Sequence, residues 1–91
     1  MNKKRSKFEI IKDILEVIKN RNGKIKPTHI LYKSNLSYGM MEEYLNELIK
    51  KDFVVENKNP KGKTYSITDK GHAYLDQYKM IAEFTDSFGL G

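Results

Sequence analysis

The segment from residue 53 to residue 68 constrains the fold more than any other part of the chain. Two short runs typical of β-strands, 53–56 and 64–68, flank seven residues that favour turns, three of them lysines. In the second run Tyr65 and Ile67 alternate with polar residues, so both side chains fall on one face of a strand. The pattern predicts a β-hairpin whose tip is basic.

The chain before this hairpin carries three amphipathic helix patterns. The first opens on a capping box, in which Ser6 and Glu9 each satisfy a free backbone donor of the other. Pro27 suits the first turn of the second helix, because its missing amide proton would be unpaired there in any case. Ser37 is a suitable N-cap for the third. We predict helices over residues 6–21, 27–34 and 37–51, and one short strand at 24–26.

A fourth helix pattern follows the hairpin, capped by Thr68 or Asp69 and running to about Phe88. Its apolar residues span about half of the helix circumference, which is wider than one packing contact needs. A helix of about twenty residues is roughly 30 Å long and can extend past a domain this small. We expect part of the apolar arc to face the first helix and the rest to bind a second copy of the chain. The first group is Leu75, Tyr78 and Ala82, and the dimer group is Tyr74, Ile81, Phe84 and Phe88.

The order of these elements defines the fold class. A winged helix-turn-helix domain has the order helix, short strand, helix, helix, strand and strand, and its hairpin is called the wing. The class is therefore α+β, mainly helical, with an extended C-terminal helix. We expect a flexible basic arm at residues 1–5, a winged-helix domain at 6–68 and a dimerisation helix at 69–91.

Composition excludes several classes of protein. A chain of 91 residues forms one domain with one modest core. It has no cysteine, which excludes disulfides and thiolate metal sites. No apolar run is long enough for a transmembrane span or a signal peptide, so we expect a cytoplasmic protein.

The formal net charge of +5 is unevenly distributed. Residues 1–39 carry a net charge of +7 and residues 57–70 a net charge of +3, whereas 40–56 and 71–91 are net negative. Two basic blocks that fold onto one face would attract phosphate groups. The pattern fits a nucleic-acid partner, and it also fits a lysine-rich surface that only keeps the protein soluble.

Three short runs of residues carry a resemblance to a known family. The run THILYKSNLSY at 28–38, followed by EYL at 43–45, is similar to archaeal winged-helix regulators. The run ITDKG at 67–71 resembles the strand-to-helix junction of such domains. Across about residues 6–88 the chain most resembles the archaeal 10a-type chromatin proteins, which are small, basic, dimeric DNA binders that pair through a C-terminal helix.

The resemblance implies binding to double-stranded DNA, with the third helix at the major groove and the wing along the backbone. It implies contacts from the start of the third helix and from the three wing lysines. Two more contacts are expected from position: Lys33 precedes the turn between the helices, and Arg5 lies in the basic arm. The full set of expected DNA contacts is Arg5, Lys33, Ser37, Tyr38, Met40, Lys58, Lys61 and Lys63.

The third helix departs from the family pattern in its acidity. Its exposed face is predicted to carry Glu43 and Glu47, with Glu42 beside them. Glutamate can accept a hydrogen bond from cytosine N4, but in general a carboxylate repels DNA. An acidic helix also suits a protein partner, so a protein–protein interaction module is the second hypothesis.

The sequence nominates no catalytic or metal centre. A nucleophile needs a base and an orienting group beside it, and no arrangement of that kind is evident. The two histidines, His29 and His72, have no cysteine or carboxylate cluster at ligand spacing. We therefore expect neither an enzyme nor a bound metal, cofactor or small-molecule ligand.

Overall fold

Residues 5–89 are described by a computed structural model and fold into four helices and one antiparallel pair of strands. This is the α+β, mainly helical architecture that the sequence predicts. The helices are α1 (Lys7–Asn20), α2 (Pro27–Ser34), α3 (Tyr38–Lys50) and α4 (Asp69–Ser87), and the strands are β1 (Val54–Asn59) and β2 (Gly62–Ile67).

Local capping explains where the helices begin. The Ser6 hydroxyl accepts a hydrogen bond from the Glu9 amide at 3.3 Å, and the Glu9 carboxylate accepts one from the Ser6 amide at 3.2 Å. This reciprocal pair confirms the predicted capping box of α1. The Ser37 hydroxyl likewise accepts from the Met40 amide at 3.2 Å and caps α3. Asn35, in the left-handed conformation with φ of 53°, turns the chain between α2 and α3.

The wing is longer and its turn tighter than predicted. Seven residues, 57–63, were expected to form a loop, but only Pro60 and Lys61 lie between the two strands. The strands extend because the side-chain amides of Asn57 and Asn59 donate across the pair to hydroxyls on β2, at 2.9 and 3.2 Å. Gly62, the first residue of β2, has a φ of 128°, which residues with a β-carbon rarely adopt.

The short strand predicted at residues 24–26 is reduced to a single bridge. Ile25 pairs with Tyr65 of β2, whose amide donates to the Ile25 carbonyl at 3.1 Å. The amide of Gly23 donates to the Tyr65 carbonyl at 2.9 Å and completes the contact. Pro27 begins α2 two residues later, so the pairing cannot continue along the chain.

One apolar core lies among the first three helices and the hairpin. Its most buried side chains come from α1, α2, the bridge and β1, and Leu75 of α4 closes it. Since α4 contributes to the core only through its first half, its second half projects beyond the domain. The core side chains with almost no exposed surface are Ile14, Leu15, Ile18, Ile25, Ile30 and Val54.

The junction of β2 and α4 is closely packed at Gly71. A β-carbon at this position would lie 2.6 Å from the Phe53 carbonyl oxygen and 2.6 Å from a side-chain carbon of Ile67. Real β-carbons do not approach other atoms so closely, so the junction requires glycine. Thr68 caps α4 here, accepting from the Gly71 amide at 3.1 Å and donating to the Asp52 carbonyl at 2.6 Å. Across residues 5–89, no helix is both long and apolar enough to span a membrane.

Candidate nucleic-acid interface

The start of α3 presents two large exposed side chains. Tyr38 and Met40 are 64% and 42% exposed, although both belong to a helix whose other face is buried. Ser37 is also exposed, and its hydroxyl accepts a hydrogen bond in capping the helix, so its expected DNA contact stays a prediction. The geometry therefore leaves Tyr38 and Met40 as the side chains that project from this end of α3.

The wing presents its three lysines on exposed positions. Lys58 and Lys63 lie directly opposite each other in the strand pairing, and Lys61 lies in the turn. Like charges in directly opposed positions destabilise a strand pair, so the hairpin gains nothing from this arrangement. The Lys63 ammonium lies 3.7 Å from a carboxylate oxygen of Glu56, in an ion pair whose lysine side chain is exposed and whose glutamate side chain is partly buried.

Sequence reasoning missed a fourth lysine near the wing. Lys26 lines a shallow groove together with the turn residues Pro60 and Lys61. The bridge between Ile25 and Tyr65 brings Lys26 there, because it holds this segment beside β2. The sequence contains a signal for the exposure of Lys26. Lys24, Ile25 and Lys26 alternate in polarity, and the buried isoleucine is flanked by two exposed lysines.

Lys33, the expected phosphate contact in α2, is exposed in the last turn of that helix. Its neighbour Tyr32 is 73% exposed. Both side chains are free to reach a ligand beside the helix-turn-helix. Their role in binding stays a prediction.

Arg5 differs from the expectation of a flexible arm. Its guanidinium donates to a carboxylate oxygen of Asp13 at 2.7 Å and to the Asn35 carbonyl at 3.0 Å. It therefore ties the start of α1 to the turn that precedes α3. The other residues of the predicted arm, 1–4, lie outside the described residues.

The acidic face of α3 is smaller than the sequence indicates. The Glu47 carboxylate accepts from Lys51 at 3.1 Å and from Lys7 of α1 at 3.2 Å. Hydrogen bonds from Lys51 and then Lys7 lower the pKa of Glu47, so the carboxylate stays ionised beside two ammonium groups. Glu43 is exposed and takes part in none of the ion pairs seen within residues 5–89.

A groove separates α3 from the wing, and it contains both signs of charge. Glu42 of α3 and Glu56 of β1 line it together with Lys63 of β2. Tyr65 lies in the same groove, where burial raises the pKa of its hydroxyl and the carboxylates of Glu56 and Glu42 raise it further. The path between the helix and the wing is therefore not uniformly basic.

A second surface, on α4, is apolar. Ile81, Phe84 and Phe88 are each more than 60% exposed, and the rings of the two phenylalanines lie 4.9 Å apart. Sequence reasoning missed two further members, Met80 of α4 and Phe8 of α1, which are exposed to 65% and 69%. We call these five residues the α4 apolar surface.

Tyr74, which was expected at the dimer interface, is half-buried and lines an apolar groove with Phe8 and Ile81 of the α4 apolar surface. Its part in a dimer interface stays a prediction. Its hydroxyl donates to the Phe8 carbonyl at 3.0 Å, and its ring packs edge-on against Phe53 at 6.0 Å. These contacts tie Tyr74 to its own domain. Three other residues of α4 were expected to face α1. Of these, Leu75 is buried, and Tyr78 and Ala82 are half-buried. Lys12 of α1 lies 5.5 Å above the Tyr78 ring.

The side chains that could ligate a metal ion are dispersed over the fold. Within residues 5–89, no three histidine, cysteine, aspartate or glutamate side chains are grouped so as to hold a metal ion.

Comparison with known proteins agrees with this architecture. A family model described as winged helix-turn-helix matches residues 4–86. An uncharacterised protein of Methanocaldococcus jannaschii is 35% identical over 84 residues, which cover 92% of this chain and 80% of the relative. A second uncharacterised protein of that organism is 30% identical over 78 residues, which cover 86% of this chain. The match spans only 34% of that longer protein.

A solved structure has a similar fold. The chain resembles Sso10a-2, described as a DNA-binding protein from Sulfolobus solfataricus, with a TM-score of 0.75 and 24% sequence identity. The superposition covers 92% of this chain and 85% of Sso10a-2. At this level of identity the likeness shows a common fold.

Proposed function

Because the chain belongs to the winged helix-turn-helix family, we propose that it binds double-stranded DNA through the start of α3 and the wing. The observation that carries this proposal is the pairing of Lys58 with Lys63. Two exposed lysines in directly opposed positions do not stabilise the hairpin, and they place positive charge where DNA phosphates can approach the wing. The fold shared with Sso10a-2, a DNA-binding protein, supports the same function.

The proposed mode of binding places only the first turn of α3 in the major groove. Tyr38 and Met40 precede Glu42, the first acidic residue of the helix, and both project into solvent. Deeper insertion would bring Glu43 towards the negatively charged DNA backbone. Lys61 at the wing tip, Lys26 beside it and Lys33 on α2 would then contact phosphates. The proposed activity is binding, with no catalytic step.

Salt dependence tests this function directly. Affinity for random-sequence duplex DNA should fall steeply between two salt concentrations, with log affinity changing by about 0.9 per phosphate contact for each unit of log salt. Fluorescence anisotropy of a labelled duplex measures both values. No binding at low salt would contradict the proposal.

We also propose that the protein acts as a homodimer held by the α4 apolar surface. Met80, Phe84 and Phe88 recur at intervals of four residues on one side of a helix whose tip makes few contacts with its own domain. Contiguous exposed apolar surface of this kind marks an interaction site. A second copy is the simplest partner, because a two-fold axis buries the same surface on both chains.

Two biological roles fit such a dimer. A transcription regulator would occupy few sites, whereas an architectural chromatin protein would occupy the chromosome broadly, and both would be found at the nucleoid. Genome-wide occupancy distinguishes the two roles, since it reports the number and spread of bound sites.

A further inference from the structure

We propose that Glu56 is a specificity-determining residue, because it holds Lys63 in an intramolecular ion pair and so withholds one wing lysine from phosphate. This inference rests on the proposed DNA binding. It concerns how much of the affinity is independent of DNA sequence.

The register of the hairpin places Glu56 where it can act in this way. Glu56, Lys58 and Lys63 share one face of the hairpin, because Glu56 and Lys58 are two residues apart on β1 and Lys63 is opposite Lys58. The Glu56 carboxylate lies 3.7 Å from the Lys63 ammonium. The Lys63 side chain is 56% exposed and that of Glu56 is 25% exposed, so the lysine is the partner more accessible to a ligand.

The charge across the groove strengthens the effect. Glu42 of α3 lines the opposite wall, so a phosphate entering between helix and wing meets two carboxylates and one lysine that is already paired. Tyr38, at the start of α3, lines the same groove. DNA of any sequence would gain little from Lys63, whereas contacts of Tyr38 with a preferred sequence would be unaffected. Binding would thus depend more on base contacts and less on charge.

The substitution Glu56→Gln tests this proposal, with Glu16→Gln as the matched control. Both changes remove one acidic group from an exposed ion pair with a lysine, since Glu16 lies 3.4 Å from Lys12. Glu16 lines the groove between α1 and α4 and not the wing. We expect Glu56→Gln to bind random duplex DNA about 3- to 10-fold more tightly, with a salt slope steeper by about 0.9, because Lys63 becomes available to one phosphate. The control should change both values much less.

A double-mutant cycle makes the assignment specific to Lys63. In the wild-type background Lys63→Ala should change affinity little, and in the Glu56→Gln background it should abolish the gain. Equal effects of Glu56→Gln and Glu16→Gln would overturn the inference, as would a gain that survives Lys63→Ala. Wild-type protein measured in the same titration distinguishes failure of this inference from failure of the proposed function. If the wild type binds DNA and the double-mutant cycle shows no coupling between Glu56 and Lys63, only the role of Glu56 is wrong.

Discussion

At the scale of single residues, Gly71 shows how one position limits the fold. The start of α4 approaches the chain so closely that a β-carbon would contact the Phe53 backbone oxygen, which cannot move as a flexible side chain can. We expect Gly71→Ala to lower the free energy of unfolding by about 1–3 kcal/mol, the usual cost of overpacking. Urea denaturation measures this change.

Gly39 is the natural control for that substitution. It also lies near the start of a helix, but no atom lies within 4 Å of the position that a β-carbon would occupy. Gly39→Ala should therefore leave stability unchanged or raise it by about 0.5–1 kcal/mol, because alanine favours helix. If both variants lost stability equally, close packing at Gly71 would not be the cause.

Arg5, an expected DNA contact, makes a tertiary interaction that the sequence did not indicate. Its guanidinium bridges Asp13 and the turn at Asn35, so it holds α1 against the segment that leads into α3. We expect Arg5→Ala to lower the free energy of unfolding by about 1 kcal/mol, a value reduced for the partial exposure of the pair. DNA affinity should fall modestly with an unchanged salt slope, since the guanidinium is engaged within the protein and neutralises no phosphate.

Urea denaturation and the DNA titration measure these two effects of Arg5→Ala. Arg21→Ala, at the exposed C-terminal end of α1, is the charge-matched control. A salt slope reduced by about 0.9 with unchanged stability would instead identify Arg5 as a phosphate contact.

At the scale of elements, different residues of the wing contribute to folding and to the proposed DNA binding. The hairpin is stabilised by its asparagine contacts and by apolar residues at its base, whereas its lysines repel one another. Changing the three wing lysines to alanine should weaken DNA binding on every sequence alike and reduce the salt slope by about 0.9 for each phosphate that is no longer neutralised. Stability should change little, because removal of the repulsion between Lys58 and Lys63 is offset by loss of the ion pair between Lys63 and Glu56.

A second triple variant controls for net charge in the wing experiment. Lys19, Lys50 and Lys79 are exposed on helices outside the wing, and replacing them with alanine removes the same formal charge. Anisotropy titrations at several salt concentrations compare the two variants. Equal decreases in affinity for both would mean that overall charge, and not the wing, determines binding.

At the scale of the whole molecule, the α4 apolar surface and the DNA-binding surface belong to one proposed assembly. A two-fold pair would place two α3 helices at successive half-sites roughly 34 Å apart and would double the phosphate contacts. Each large apolar side chain buried in the interface would contribute roughly 1.5–3 kcal/mol. Ile81→Asp combined with Phe88→Asp should therefore yield a folded monomer that binds DNA much more weakly.

Sedimentation measures the oligomeric state in this experiment, and circular dichroism confirms that the variant is folded. Lys79→Asp changes the net charge by the same two units on an exposed part of α4 outside the apolar surface, so it should leave the dimer intact. Wild-type protein that stays monomeric at high micromolar concentration would end the dimer proposal.

The sequence by itself determined the type and order of the elements, because the signals for them are local. Capping by Ser6 and Ser37 and apolar residues at helical spacing act within a few residues of chain, and the predicted helix ends lie within one or two residues of those observed. The alternation of Tyr65 and Ile67 likewise identified the buried face of β2.

Only the tertiary structure decided which side chains meet across the molecule. It brings Glu47 to Lys7, 40 residues away in sequence, and Arg5 to Asn35, 30 residues away. It brings the Tyr74 hydroxyl to the Phe8 carbonyl, 66 residues away. Each of these contacts depends on how the helices and strands pack. The spacing of residues along the chain gives no information about such partners, because only packing brings them within hydrogen-bond distance.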